Sequence, residues 1–445
     1  MNNQTSHTSG KRRILLALFL IYFMFAILLN SVGTVILQVI NNYGVDKSSA
    51  SLLEGFKDLP IAVVSFLLAS SMPRIGYKRA MLAALGIVAV ATLAMPLLPG
   101  FATAKLLFLC VGVSFALVKV SVYSTVGLVA NDRKQHAGYM NLLEGFFMVG
   151  VLSAYWIFGA FIDSDNPAST GWLNVYWLLS AMCALTFLLV LSTRFDEGGA
   201  APLASQGPVQ DFFEMLRLFL RPLVCVFVLT AFLYVLVEQS VGTWLPTFNN
   251  EILKLPAAMS VQVTSIYAFC LAVGRLSAGV IMRRLNWFPV MVACVLGMGA
   301  TVLMALPLSH GIAHDPNVGW SSAPLAAFVF PLIGLFMAPI YPGINSVMLS
   351  SLPRHRHAPM TGLLVIFSAL GGTTGSMVTG YVFGRFDGQF AFYLTLVPIG
   401  LMLVGLTVFR RQVEKSSAGL APQAAGAPAS ARMKSAQRAA GKGFE

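Results

Sequence analysis

Long, nearly unbroken apolar runs fill the chain, and short polar or basic breaks separate them. A helix that crosses a bilayer needs ~20 apolar residues. Twelve segments approach or exceed that length: 14–40, 51–71, 80–98, 104–130, 138–162 and 172–192, then 222–247, 260–282, 288–309, 322–349, 360–384 and 390–409. The runs are continuous rather than alternating, so they predict helices and exclude a membrane β-barrel. The run after Lys11-Arg12-Arg13 is too long for a signal peptide and ends in no small-residue cleavage site, so it reads as the first span.

The polar breaks carry a second pattern. With the N-terminus on the cytoplasmic side, the inner segments hold 22 of the 29 Lys and Arg residues. The outer loops hold only Lys47, Lys105, Lys254 and Arg385. Basic residues favour the cytoplasmic side, which puts both termini there. The organisation expected is an N-terminal segment over 1–13, a six-helix bundle over 14–192, a cytoplasmic linker over 193–221, a second six-helix bundle over 222–410 and a disordered tail over 411–445. The linker stretch 198–207 is flexible by composition, and the Ala-, Gly- and Ser-rich tail has too little to bury.

Composition agrees. Hydrophobic residues make up 57% and charged residues 10%, against ~25% charged in a soluble domain. Mean hydropathy is +0.77. A soluble enzyme, a disordered chain and a disulfide scaffold are excluded, and an all-α integral membrane protein remains. The net charge of +12 sits in short inner clusters rather than on a nucleic-acid-binding face. The five cysteines lie inside apolar runs without a Cys-x-x-Cys pair. His310 and His314, beside Asp315, lack a convincing third ligand, so no metal or other cofactor is expected. Hydrolase, metalloprotease and nucleotide-binding motifs are absent, which argues against an enzyme and leaves ion gradients or exchange to drive transport.

The halves repeat each other. Leu29-Asn-Ser-Val-Gly-Thr34 matches Glu238-Gln-Ser-Val-Gly-Thr243 at an offset of 209, and Asn41 meets Asn250 in the same register. Spans four and five align onto ten and eleven at an offset of 222, setting Gly112 on Gly334, Gly150 on Gly372 and Lys119 on Tyr341. A finer repeat, Leu52-Leu-Glu-Gly-Phe56 and Leu142-Leu-Glu-Gly-Phe146, joins spans two and five, which run in opposite directions. Such nested repeats are known from secondary transporters.

Seven ionisable residues fall within spans: Glu54, Lys57, Asp58, Lys119, Glu144, Glu238 and Arg275. Each costs ~2.5–3.5 kcal/mol at a lipid-facing helix centre, so they must face a cavity or one another. Glu54, Lys57 and Asp58 share one helix face, either as a local ion cluster or as part of a proton-coupling network with Lys119, Glu144 and Glu238. Glu144, Asp58 and Glu238 are the candidate partners of Lys119. Asn30, Tyr123, Gln239, Tyr341 and Asn345 supply directional hydrogen bonds, and with Lys119 they form the candidate solute site. Trp244 either stacks on a sugar face or anchors the helix at the interface. Pro339, Pro342 and Gly343 interrupt span ten at this depth. The mixture suits a polyhydroxylated neutral solute, because desolvated hydroxyls need replacement partners. The alternatives are an anion drawn by Lys57, Lys119 and Arg275, or a receptor that binds without flux.

Twelve spans, a central linker and a half-repeat resemble the major facilitator superfamily. Within it the chain resembles the fucose–proton symporter family over roughly residues 14 to 410. The residues that carry this are Tyr234-Val-Leu-Val-Glu-Gln-Ser-Val-Gly-Thr-Trp-Leu-Pro246, Gly274-Arg-Leu-Ser-Ala-Gly-Val-Ile-Met-Arg-Arg284, Pro339-Ile-Tyr-Pro-Gly-Ile-Asn-Ser346 and Gly371-Gly-Thr-Thr-Gly375. The resemblance implies a monosaccharide substrate, symport with H+ and a multi-pass protein of the bacterial inner membrane. We expect a monomer. The resemblance also implies a gating role for Gly274, Arg275, Gly279, Arg283 and Arg284, and for Arg74, Lys78 and Arg79 in the first half. That first-half copy lacks the usual aspartate. Asn30 and Lys119 stand where the family carries acids.

Overall fold

A computed structural model describes residues 2–68, 72–166, 168–193, 195, 208–315, 318–353 and 356–425. Among the described residues, eleven helices are long and apolar enough to cross a membrane. Span two, Leu52–Leu68, is shorter and carries Glu54, Lys57 and Asp58; with it the count is twelve. Apolar side chains such as Val90, Leu185, Met304 and Val404 remain on the outside, as they would against lipid.

The spans form two six-helix bundles. Helices Asn2–Asn30 and Val32–Tyr43 make span one, followed by Leu52–Leu68, Tyr77–Leu97, Phe101–Val129, Arg133–Phe161 and Val175–Ser192. The second bundle has Pro222–Glu251, Ala257–Ile281, Trp287–Ala305, a broken span ten, His357–Arg385, and Gly388–Tyr393 with Leu396–Ala425. Span ten is assembled from Ala326–Val329, Phe330–Leu332, Ile333–Met337 and Ile340–Ser350, the interruption expected from its prolines.

Span one breaks at Ser31, which the apolar pattern did not signal. Asn30 Nδ2 donates to the Ala26 carbonyl at 2.8 Å, and Ser31 Oγ donates to the Leu28 carbonyl at 2.8 Å. Short polar side chains that bond their own backbone compete with the regular helix ladder.

The repeats are expressed as packing. A Cβ on Gly112 would lie 2.3 Å from the Lys57 carbonyl, where span four meets span two. Its counterpart Gly334 meets the Tyr267 carbonyl at 2.7 Å, where span ten meets span eight. Removing the Cβ at both positions lets the backbones approach closely.

The linker carries a helix, and one expectation of unstructured chain, the tail from residue 411, is corrected in its first part. Helix Pro208–Phe219 occupies the end of the linker, burying Met215 and Leu218 and stacking Phe219 on Phe367 at 5.2 Å between ring centroids. Its apolar stripe gives it something to dock. The last helix continues past residue 411 to Ala425, with an Arg410–Glu414 pair of 2.7 Å on its surface. The flexible stretch expected at 198–207 and the tail beyond residue 425 lie outside the described residues.

Candidate functional site

The bundles meet tightly at the face away from the termini, here the far face. Lys47 Nζ pairs with Glu251 Oε2 at 3.0 Å, and Trp156 stacks on Trp320 at 5.7 Å. A Cβ on Gly33 would lie 2.4 Å from the Thr243 carbonyl oxygen, so spans one and seven touch backbone to backbone. Toward the terminal face, the first half of span five and the last turns of span eight expose Leu142, Phe146, Leu276 and Val280.

Between the halves lies a cavity of ≈ 170 Å³. Drug-sized ligands fill sites of ~300–1,000 Å³, so this one fits a single small solute. The 209-residue repeat places matched positions on its wall: Asn30 and Gly33 from span one, Gln239 and Gly242 from span seven. Tyr155 of span five and Tyr267 of span eight close the sides. Arg275 Nη1 reaches Met148 Sδ at 3.6 Å, on the terminal side of the cavity.

The charges inside the bilayer are mostly paired. Lys57 bonds Glu54 and lies 3.4 Å from Asp58 Oδ1. Glu54 is fully buried, and its Oε2 accepts from Thr243 Oγ1 across the seam at 2.9 Å. Arg275 Nη2 stands 3.9 Å from Glu238 Oε1, which also accepts from Tyr234 Oη at 3.2 Å. Buried charge is tolerable only when paired and hydrogen-bonded, and these contacts meet that requirement for most of the groups.

The structure gathers Asn30, Gln239, Glu54, Lys57, Glu238 and Arg275 at the cavity. It leaves the other candidates apart. Tyr341 bonds Ser368 at 3.0 Å and lies tilted against Tyr234 at 5.5 Å between ring centroids, while Asn345 Oδ1 is buried without a hydrogen-bond partner among the described residues. Tyr123 Oη donates to Glu144 Oε1 at 2.6 Å, and Glu144 is exposed, away from the cavity lining. Lys119 makes no ion pair among the described residues; its ammonium lies 6.0 Å from the Phe115 ring centre.

Trp244 requires correction. It is 0% exposed, and its indole N–H donates to the Ser376 carbonyl at 3.0 Å. In this conformation the ring is neither a stacking platform for solute nor an interfacial anchor; it packs span seven against span eleven.

The gating candidates also divide. Arg275 belongs to the cavity rather than to the basic cluster of its motif. Lys78 Nζ donates to the Leu191 and Thr193 carbonyls at 2.9 and 2.8 Å, tying span three to span six within one bundle. Gly274 packs closely on Leu335 and Ala338, whereas Gly279 has nothing near a Cβ position. Arg74, Arg79, Arg283 and Arg284 are exposed.

Sequence reasoning missed Tyr155, Tyr267 and Thr243. Tyrosines inside apolar runs look like core, and Tyr267 was betrayed only by Gly242 and Gly334, which both pack against it.

Two bundles around a polar central cavity define a secondary transporter of the parallel-halves type. The Major Facilitator Superfamily model matches residues 15–358, and the chain belongs to that superfamily. A bacterial homologue of the human lysosomal transporter Spinster, inward-facing and unoccupied, superposes with a TM-score of 0.70 at 17% identity, over 92% of this chain and 98% of that one. The nucleoside transporter NupG gives 0.68 at 14% identity, over 89% and 99%. The Escherichia coli fucose–proton symporter FucP gives 0.56 at 15%, over 89% and 98%. In sequence, Bypass of stop codon protein 6 of Saccharomyces cerevisiae is 24% identical over 225 residues, 49% of this chain. The chain spans less than half of that relative's length, 43%.

Proposed function

We propose that this transporter carries a monosaccharide or close derivative by alternating access, together with H+. The observation that carries the reading is the cavity itself. It is small and ringed by Asn30, Gln239, Tyr155, Tyr267 and Thr243, whose amide and hydroxyl groups can replace the water lost by sugar hydroxyls. The likeness to a fucose–proton symporter supports the same choice. The contacts between the halves close the far face, and in this reading the cavity exchanges solute with the side holding the termini. The basic residues assign that side to the cytoplasm of a bacterial inner membrane. The protein works as a monomer, with Glu54, Lys57, Asp58, Glu238, Lys119 and Glu144 as its charge network.

The test is uptake into proteoliposomes with a panel of neutral sugars, sugar acids and nucleosides, with and without a pH gradient. Saturable sugar uptake that accumulates under an inward proton gradient is expected. Uptake confined to nucleosides, or binding without flux, overturns the reading. A second reading rests on Lys119, the one intramembrane cation without an ion pair among the described residues. If an anion completes its charge, sugar acids will outcompete neutral sugars, and Lys119→Gln will abolish that preference.

A further inference from the structure

The charges at the junction of spans two, seven and eight do not balance. Glu54, Asp58 and Glu238 oppose only Lys57 and Arg275. Glu54 has two donors, Lys57 and Thr243, whereas Glu238 accepts from Tyr234 and stands 3.9 Å from Arg275. Asp58 is 9% exposed and, among the described residues, has only the 3.4 Å contact of Lys57 with Oδ1. Its Oδ2 points at span eleven, 2.4 Å from where a Cβ on Gly372 would stand. That position also touches Gln239 Cγ at 3.1 Å, so the free carboxylate oxygen borders a cavity-lining residue.

We propose that Asp58 is the proton-binding site of the transport cycle, and that it must be loaded for the far face to close. The proposal rests on the symport reading above. Closing the far face transfers the cluster from water to a dry seam. There an unbalanced carboxylate is heavily penalised, whereas its protonated form is neutral. Loading from the far side favours closure; release of the proton through the cavity to the terminal side then leaves an unbalanced carboxylate in the seam and drives the far face open again, so each cycle carries one proton across with the solute. Gly372 leaves the room that the carboxyl group occupies.

Among the described residues, the surrounding groups leave no other counter-charge. Span two offers Glu54 and Lys57, already paired. Span seven offers Glu238, answered by Arg275 of span eight, and span five offers Tyr155. Lys119 of span four is directed toward Phe115, and Lys105 lies at the far end of that span. Span eleven carries His357 and Arg385 only at its ends.

The experiment is Asp58→Asn in proteoliposomes, with solute counterflow measured beside pH-driven accumulation at clamped potential. For one H+ per neutral solute, wild type should approach about tenfold accumulation per pH unit. The variant should exchange solute in counterflow yet accumulate none. A wild-type protein that exchanges but never accumulates overturns the symport reading itself. An accumulating wild type with an equally accumulating variant overturns the Asp58 assignment alone. Should the variant fail to fold, labelling of Lys47→Cys in the otherwise unchanged chain decides. Far-face labelling, taken relative to a fully exposed reference cysteine so that the falling thiolate fraction cancels, should fall as pH is lowered, and a pH-independent ratio overturns the proposal.

Discussion

The two ends of the seam between the bundles are built differently. At the far face, spans one and seven touch backbone to backbone at Gly33 and Thr243, and Thr243 reaches across to the buried Glu54. At the terminal face, Gly279 has open space where a Cβ would stand, and Arg283 and Arg284 are exposed. The same glycine-rich composition therefore serves two purposes. Where glycine is pressed by backbone, its missing side chain sets the closed geometry. Where it is not, the helix is free to meet a partner in another state. Composition alone does not separate these cases; only the neighbour opposite each glycine does.

This contrast makes ranked predictions. The largest effect should come from Gly33→Val, which drives a side chain into the Thr243 carbonyl. Far-face closure should fail, uptake should fall at least about tenfold, and a cysteine at Lys47 should label fully from outside. Lys57→Met leaves Glu54 and Asp58 without their ammonium. Loss of one partner from a buried ion cluster costs ~3–5 kcal/mol, so detergent thermostability should drop sharply. Thr243→Val removes a hydrogen bond to a buried carboxylate, worth ~1.5–3 kcal/mol. Its signature should be a shift of about tenfold toward far-face labelling, with the protein still folded. Lys47→Ala breaks a partly exposed pair worth ~0.2–1 kcal/mol, and uptake should change less than about fivefold. A Lys47→Ala effect as large as that of Gly33→Val would erase the contrast between the buried and rim contacts.

Much of the fold was legible because lipid imposes a simple rule on it. A helix must be apolar for its full crossing, and eleven of the spans obey. Span two was readable despite its three charges, because the stretch from Leu59 to Leu68 that follows them is almost wholly apolar. The repeat also read through to the site: matched positions in spans one and seven reach one cavity. Individual roles were harder to read. Trp244 has an amphipathic side chain that suits a solute or an interface, and only its neighbour Ser376 reveals that its N–H is already used. Arg275 sits inside a gating pattern, yet its length takes it to Glu238 and Met148. The partner of a long side chain depends on the facing helix, which periodicity does not record.

The break at Ser31 has a stereochemical consequence. Spans one and seven present repeated residues to the cavity, and two identical walls would accept a solute equally well in either of two orientations. Span one is interrupted there, whereas span seven runs unbroken from Pro222 to Glu251. The walls are thus distinguishable in backbone as well as in side chain, with Asn30 facing the first and Gln239 the second. A solute turned end over end meets a different surface, so the degeneracy inherited from duplication is lifted. One of the two orientations of a bound solute is then preferred over the other.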